Sequence, residues 1–262
     1  LVSGLFLLFM QEKIKNRTVK CAFVLLALLL SATAEIRLEL LPDTQWTGWD
    51  MTENLRIVFG IDGMTRVFGC LMAVVWTLCG LYAFEYMKHE DHEDRYFGCY
   101  LIVMSVLTGL VHAGNIITMY LFYEMMTLTS LPLVLHTLDH DAIMAGLKYM
   151  FYSIAGAFLA LFGIFYLYAN GANRLFTAGG IIKDLGSAYT GSTGMTLLVT
   201  LFMIIGFGTK AGMFPMHGWL PTAHPVAPAP ASAVLSGIIT KFGVLSIIRI
   251  VYYTIGTEFL RG

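Results

Sequence analysis

Three ionisable side chains interrupt long apolar runs of the sequence: Glu124, Lys210 and Lys241. At the centre of a membrane helix such a group costs roughly 2.5–3.5 kcal/mol on insertion scales, so it persists where it is paired, hydrated or functional. Structural alternatives exist for each residue. Glu124 could stay protonated and bond its own helix, and the lysines could extend to an interface. The depth of all three in their runs favours a functional role.

Glu124 and Lys210 carry opposite signs on helices that could pack together. At about 4 Å and an effective dielectric constant of about 20, such a pair is worth roughly 4 kcal/mol. Making or breaking the pair would therefore decide whether Lys210 holds its proton. The sequence predicts an electrostatic proton switch without covalent chemistry, with onward transfer through His217 towards Lys241.

The residues around Lys210 predict a broken helix. Gly206, Gly208, Gly212 and Pro215 interrupt it, and Pro215 removes a backbone donor. Unpaired backbone groups at membrane depth are tolerated where they line a wet cavity or are buried in protein.

Three further residues are weaker candidates. His217 follows the Pro215 break and could relay protons or serve as a hydrogen-bonded structural residue. Lys148 lies about two turns from the charged stretch at 139–141, so extension to the interface competes with function. Arg249 is expected to be an interfacial anchor at the far end of its helix.

Composition indicates the elements that must position these residues. The chain is 57% hydrophobic and only 13% charged, whereas an ordinary soluble domain is about a quarter charged. The formal net charge of −1 comes with no clustered basic face, which excludes nucleic-acid binding. The sequence therefore predicts an all-α polytopic transmembrane helix bundle in contact with the lipid bilayer.

The apolar runs predict seven spans after an N-terminal stub at 1–10, which is expected to be the tail of a first helix. The spans are expected at about 18–34, 62–86, 96–112, 116–136, 142–169, 194–216 and 230–255. A basic stretch at 11–20 places that loop in the cytoplasm, and alternation puts 84–96 and 137–142 on the same side. The polar stretches at 35–60 and 170–193 then lie outside.

Metal and redox chemistry are not expected. The four cysteines lie in or beside apolar runs and form no ligand spacing. The pairs His89/His92 and His136/His140 match neither a zinc-protease motif nor a closed zinc site. We expect no cofactor and no functional metal.

Residues 208–241 carry a long, specific pattern. Lys210 is followed by Pro-x-His-x-Trp-Leu-Pro-x-Ala-His at 215–224, by Ala-Pro, and by the second lysine at 241. With Phe-Tyr-Glu-Met-Met at 122–126, the pattern resembles the antiporter-like subunits shared by respiratory complex I, Mrp cation/proton antiporters and membrane-bound hydrogenases. The proline-rich connection looks most similar to the Mrp and hydrogenase branch.

The resemblance implies roles for individual residues. Glu124 corresponds to the lateral-coupling glutamate, Lys210 to the lysine of the broken seventh helix, and Lys241 to the bridging lysine. His217 and His224 match the histidines of the Trp-Leu-Pro segment. Thr222 departs from the family pattern, because an aspartate commonly stands there.

The resemblance also implies an organisation in which 96–256 is the first of two inverted five-helix repeats, preceded by 1–95. Residues 257–262 would begin a truncated remainder, so the chain is expected to be the N-terminal part of a longer subunit. The implied function is proton or Na⁺ translocation in a multi-subunit energy-converting complex of the cell (inner) membrane. Partners would be other membrane subunits and iron–sulfur or nickel–iron redox subunits, so whether the complex is an enzyme stays open. An independent solute transporter and a purely structural subunit are the alternatives.

Overall fold

A computed structural model gives the structure of the chain and describes residues 1–10, 16–52 and 55–261. Of the basic stretch predicted at 11–20, residues 11–15 lie outside the described residues, and Arg17 and Lys20 belong to the first turn of α2. The elements of the first half are α1 (Val2–Met10), α2 (Arg17–Glu39), β1 (Thr44–Asp50), β2 (Arg56–Ile61), α3 (Gly63–Tyr86), α4 (Glu93–Val111) and α5 (Ile116–Val134). A 3-10 turn, Met87–His89, extends α3.

The second half is also helical. Its elements are α6 (His140–Ala169), α7 (Ile181–Leu185), α8 (Thr193–Ala211), α9 (Leu220–Val226), α10 (Ala229–Val234), α11 (Thr240–Ile248) and α12 (Thr257–Arg261). A 3-10 turn, Gly186–Ala188, follows α7. A π-helical stretch, Leu235–Ile239, joins α10 to α11, and a second one, Arg249–Ile255, extends α11, so that Ala229–Ile255 forms one span. Over the described residues, seven helices are long and apolar enough to cross a membrane, which confirms the multi-pass helical fold.

Two helix ends differ from the prediction. Helix α2 continues to Glu39, so two carboxylates that the sequence placed in a loop belong to a helix. Helix α8 ends earlier than predicted because Gly212 takes a left-handed conformation (φ 73°), which favours glycine. The expectation that Gly206 and Gly208 interrupt this helix is wrong, because both lie within it.

A β-hairpin covers one end of the bundle, where the sequence predicted only a polar stretch. Strand β1 pairs antiparallel with β2, and Trp46 lies opposite Phe59. The backbone of β2 then continues into the turn after α4, since Gly60 N donates to His112 O at 2.7 Å and Gly114 N donates to Val58 O at 2.8 Å. These bonds satisfy backbone groups of the turn that links α4 to α5.

Contacts between loops confirm the predicted alternation of the spans. Arg95, at the start of α4, donates to the carbonyl oxygen of His136, which places 84–96 and 137–142 at the same end. At the other end, Phe176 N donates to Gly114 O at 2.9 Å, so the 170–193 connection lies beside the hairpin.

Two close interactions hold the bundle around the site. Helices α6 and α8 approach at Gly156 and Gly206, where a Cβ on Gly206 would strike the carbonyl oxygen of Gly156. Small residues allow this spacing between membrane helices. Arg249 is buried and pairs with Asp62, the N-cap of α3. The expectation that Arg249 is an interfacial anchor is therefore wrong.

Candidate ion-translocation site

Lys210 lies in the last turn of α8 and is completely buried, with 0% of its surface exposed. Its ammonium group donates to the Tyr149 hydroxyl and, at 3.0 Å, to Ser153 Oγ, both on α6. Nζ also lies 3.8 Å from the centre of the Tyr149 ring, where the face of an aromatic ring attracts a cation. The partners of this ammonium group are thus hydroxyl groups and ring faces, and no carboxylate is among them.

Glu124 is half-buried on α5 and near enough to Lys210 for the two charges to attract each other. The two residues form no ion pair within 4.0 Å. Glu124 Oε1 is buried and has no hydrogen-bond partner among the described residues. The structure therefore brings the first two predicted residues into one region, with a gap between their charged groups.

A hydroxyl chain extends from Lys210 towards α5. The Tyr149 hydroxyl lies 2.6 Å from Ser130 Oγ, which donates to the carbonyl of Met126 at 2.6 Å. Tyr123, next to Glu124, donates to Phe207 O of α8 at 3.1 Å. The hydroxyls of Tyr149 and Ser130 can each donate and accept a hydrogen bond, and their chain ends at the carbonyl of Met126.

Two carbonyls near the end of α8, those of Gly208 and Thr209, are paired within the protein. Met213 N donates to Gly208 O at 2.9 Å, and Trp219 Nε1 donates to Thr209 O at 2.8 Å. The buried Trp219 also stacks edge-on against Tyr149, with ring centres 4.9 Å apart. The turn after α8 therefore closes over Lys210 as packed protein.

Lys241 does not lie inside the described bundle; the expectation that it is enclosed is wrong, because its side chain is exposed. The side chain bends back along its own helix, and Nζ donates to Ser236 O at 2.7 Å and to Thr240 Oγ1 at 3.3 Å. Ser236 belongs to the π-helical stretch 235–239, whose looser winding presents its carbonyl to the ammonium group.

The two histidines occupy different surroundings. His217 is exposed in the turn after α8, and no hydrogen bond joins it to Lys210. His224, on α9, is half-buried; its Nδ1 lies 2.7 Å from Ser232 Oγ and its ring stacks on Trp219. Burial lowers the pKa of His224, which favours the neutral imidazole beside Trp219.

Lys148 is half-buried and lines a groove between α6 and α9, close to Asp141 and Thr222. It precedes Tyr149 in the sequence but points to another face of α6, because Tyr149 is buried and Lys148 borders the groove. The structure therefore separates Lys148 from the Lys210 ammonium.

Sequence reasoning missed the hydroxyl partners of Lys210. A signal was available: Tyr149 and Ser153 are four residues apart and share a helix face. It also missed a buried group formed by Glu35 and Glu39 of α2 and by His112 after α4, whose ligand-type atoms lie within 4.8 Å of one another. The helical spacing of the two glutamates was visible, but α2 was predicted to end before them.

The sequence of this chain matches two models of protein families and resembles several known proteins. The sequence model described as "NADH:quinone oxidoreductase/Mrp antiporter, TM" matches residues 113–259, and the one described as "NADH-Ubiquinone oxidoreductase (complex I), chain 5 N-terminus" matches residues 49–97. Hydrogenase-4 component B of Escherichia coli is 32% identical over 192 residues, 72% of this chain and 28% of that protein. A subunit of the Na(+)/H(+) antiporter of Bacillus subtilis is 26% identical over 195 residues, 74% of this chain and 38% of that protein.

One solved structure shares the fold closely. A chain of the membrane-bound sulfane sulfur reductase, an archaeal respiratory membrane complex, superposes with a TM-score of 0.82 at 20% identity, over 99% of this chain and 53% of that chain. The present chain thus spans about half of that chain and less of the two curated relatives.

Proposed function

Because the chain belongs to the NADH:quinone oxidoreductase/Mrp antiporter family, we propose that it translocates protons as part of a membrane subunit of a multi-subunit complex. The observation that carries the proposal is Lys210, which is fully buried and solvated by two hydroxyl groups with no carboxylate in contact. Burial of an unpaired charge is costly, so Lys210 is poised to release a proton when its surroundings change.

Glu124 supplies that change. A negative charge on Glu124 attracts the Lys210 ammonium across the gap between them, and its loss removes the attraction. The attraction between opposite charges weakens as their separation grows. Protonation or displacement of Glu124 would therefore lower the proton occupancy of Lys210.

The surroundings of Lys210 favour H⁺ over Na⁺ as the ion that is transferred at this residue. An ammonium group repels a metal cation, whereas it exchanges protons with the hydroxyls of Tyr149 and Ser153. In this relay, Lys241 is the next member of the path, and it can accept a proton only after it has released its own to a group outside the described bundle, where its side chain is exposed. His217, His224 and Lys148 stay secondary candidates for the path, since none of them is hydrogen-bonded to Lys210.

The partners follow from the relatives rather than from a site in this chain. Hydrogenase-4, the Na(+)/H(+) antiporter and the sulfane sulfur reductase complex are the systems to which the similar chains belong. We infer that this chain assembles with other membrane subunits, and that redox energy or a cation gradient supplied by a partner drives the transfer. Metal analysis and mass spectrometry of the native complex distinguish the two: iron–sulfur subunits mean redox drive, nickel marks a hydrogenase, and metal-free small membrane subunits mean a gradient.

The test compares Glu124→Gln and Lys210→Met in the native complex, reconstituted in vesicles with a pH-sensitive dye inside. The proposal expects both variants to assemble and to lose proton movement. Matched controls are Glu85→Gln and Lys183→Met, which change exposed residues of the same types. Loss of assembly in both test variants would support a structural role instead. Normal assembly of both test variants with normal proton movement would contradict the relay hypothesis.

A further inference from the structure

Away from Lys210, three side chains converge between α2, α3 and α4. Glu35, Glu39 and His112 are 2%, 4% and 3% exposed, so all three are buried. His112 Nε2 lies 3.4 Å from Glu39 Oε1, and His112 Nδ1 lies 3.8 Å from Glu35 Oε1. Within the described part of the chain, the ion pairs of these two carboxylates are with His112 alone.

The hydrogen bonds of His112 determine which atom faces the carboxylates. Its Nδ1 lies 2.8 Å from the carbonyl oxygen of Thr108, an acceptor, so Nδ1 carries a proton. In the neutral ring, Nε2 then presents a lone pair towards Glu39 Oε1. Nε2, both oxygens of Glu39 and Oε1 of Glu35 have no hydrogen-bond partner among the described residues. With the neutral ring, these acceptors face one another in a buried site and repel unless a proton or a metal cation lies between them.

We propose that Glu35, Glu39 and His112 bind a divalent transition-metal cation of the Zn²⁺ class. Two carboxylates carry a charge of −2, which a divalent cation cancels. Imidazole nitrogen favours zinc-like metals over Na⁺, Mg²⁺ or Ca²⁺. The bond from Nδ1 to a backbone carbonyl is the usual orienting contact of a metal-bound histidine.

The spacing of the atoms agrees with this chemistry. Zinc binds nitrogen and carboxylate oxygen at about 2.0–2.2 Å in a tetrahedron, so adjacent ligands lie about 3.3–3.6 Å apart. The Nε2–Oε1 distance of 3.4 Å to Glu39 falls in that range. The ligand atoms of all three residues lie within 4.8 Å of one another, so Glu35 must turn inward to become the third ligand, with a fourth position left for water.

Gly69 of α3 makes room for the carboxylates. A Cβ at this position would strike Glu39 Oε1 and would lie 3.0 Å from Glu35 Oε1. A cavity of about 250 Å³ reaches Glu35 between α2 and α4, with Ser31, Ser105 and Thr108 in its wall. A cation thus has an approach to Glu35 whose mostly apolar wall includes three hydroxyl groups. Trp46 of the hairpin covers His112 at a ring distance of 6.5 Å.

The test uses the intact complex, stripped with a chelator and titrated with Zn²⁺ or Co²⁺. We expect the wild-type complex to take up one more Zn²⁺ per chain than His112→Gln. Glu35→Gln and Glu39→Gln should each weaken binding by about 10–100-fold or more. Gly69→Ala, which keeps all three ligands, should weaken it as well. The matched control is His140→Gln, an exposed histidine beside Asp141, and should leave uptake unchanged.

His112→Cys provides a readout that does not depend on loss of binding. With Co²⁺ bound, the new thiolate should add a sulfur-to-cobalt charge-transfer absorption that is absent from the wild type. If His112→Gln fails to assemble, this spectrum decides the question. Equal zinc uptake by the wild type and His112→Gln, or an assembled His112→Cys complex without the absorption, would overturn the proposal and leave a cluster that binds protons only.

Discussion

The Lys210 ammonium lies over the ring of Tyr149, 3.8 Å from its centre, and donates to the hydroxyl of the same residue. One tyrosine therefore contacts the buried charge in two ways, through its π face and through its oxygen. The hydroxyl also lies 2.6 Å from Ser130 Oγ on α5, so Tyr149 links the lysine of α8 to the helix that carries Glu124.

This arrangement predicts the behaviour of Tyr149→Phe. The substitution keeps the ring and removes the hydroxyl, so Lys210 retains Ser153 as a partner while the link to α5 is lost. A hydrogen bond to a charged group is worth about 1.5–3 kcal/mol, which corresponds to a roughly 10–100-fold slower proton movement in reconstituted vesicles. Tyr168→Phe, on the same helix, is the control and should transport at the wild-type rate. An unchanged rate in Tyr149→Phe would remove this hydroxyl from the path.

The contact between α6 and α8 gives a second prediction. Gly206 lies one turn before Lys210, and a Cβ there would meet Gly156 O and Ala160 of α6. Gly206→Ala should therefore push the helices apart, cost about 1–3 kcal/mol and lower the thermal unfolding temperature of the complex in detergent. Gly194→Ala, in the first turn of α8, meets nothing within 4 Å and should be neutral. Equal unfolding temperatures for both variants would contradict the close packing.

A third prediction concerns pH and the loop between α5 and α6. Burial and the nearby Arg95 guanidinium lower the pKa of His136, so its folded pKa lies below the value of about 6.5 of a free histidine. As pH falls below about 6.5, the unfolded chain binds the proton first, and the free energy of unfolding decreases until the folded pKa is passed. Thermal stability measured from about pH 7.5 to about pH 5 should fall accordingly.

The same titration in variants identifies the group responsible. His136→Gln should show a smaller loss of stability over this interval, because the titrating ring is gone. His140→Gln removes an exposed histidine four residues away and should keep the wild-type pH dependence. If His136→Gln follows the wild-type curve, His136 does not account for the effect.

The spans were predictable because apolar runs of sufficient length have few alternatives to a membrane helix. Helix α3, expected at about 62–86, is observed at Gly63–Tyr86 with Asp62 as its N-cap. The hairpin was not predictable from periodicity, because every residue of β1 is exposed and no alternation of apolar and polar residues marks the strand. Its pairing depends on backbone bonds to the turn after α4.

The site was predictable in part. Glu124 and Lys210 could be identified because a charge in an apolar run is unusual, and they do lie in one region. The surroundings of the two lysines could not be predicted, because side-chain direction at the end of a helix depends on the packing of its neighbours. Lys210 turns inward beneath Trp219, whereas Lys241 turns back on its own helix at the π-helical stretch.

The ion pair between Asp62 and Arg249 joins residues 187 positions apart, and it has a consequence for biosynthesis. The ribosome makes Asp62 long before Arg249, so the start of α3 enters the membrane without this partner. Arg249, in turn, becomes buried only when the span Ala229–Ile255 docks against α3. This pair can therefore close only after that span has been made, and it marks the docking of Ala229–Ile255 against α3.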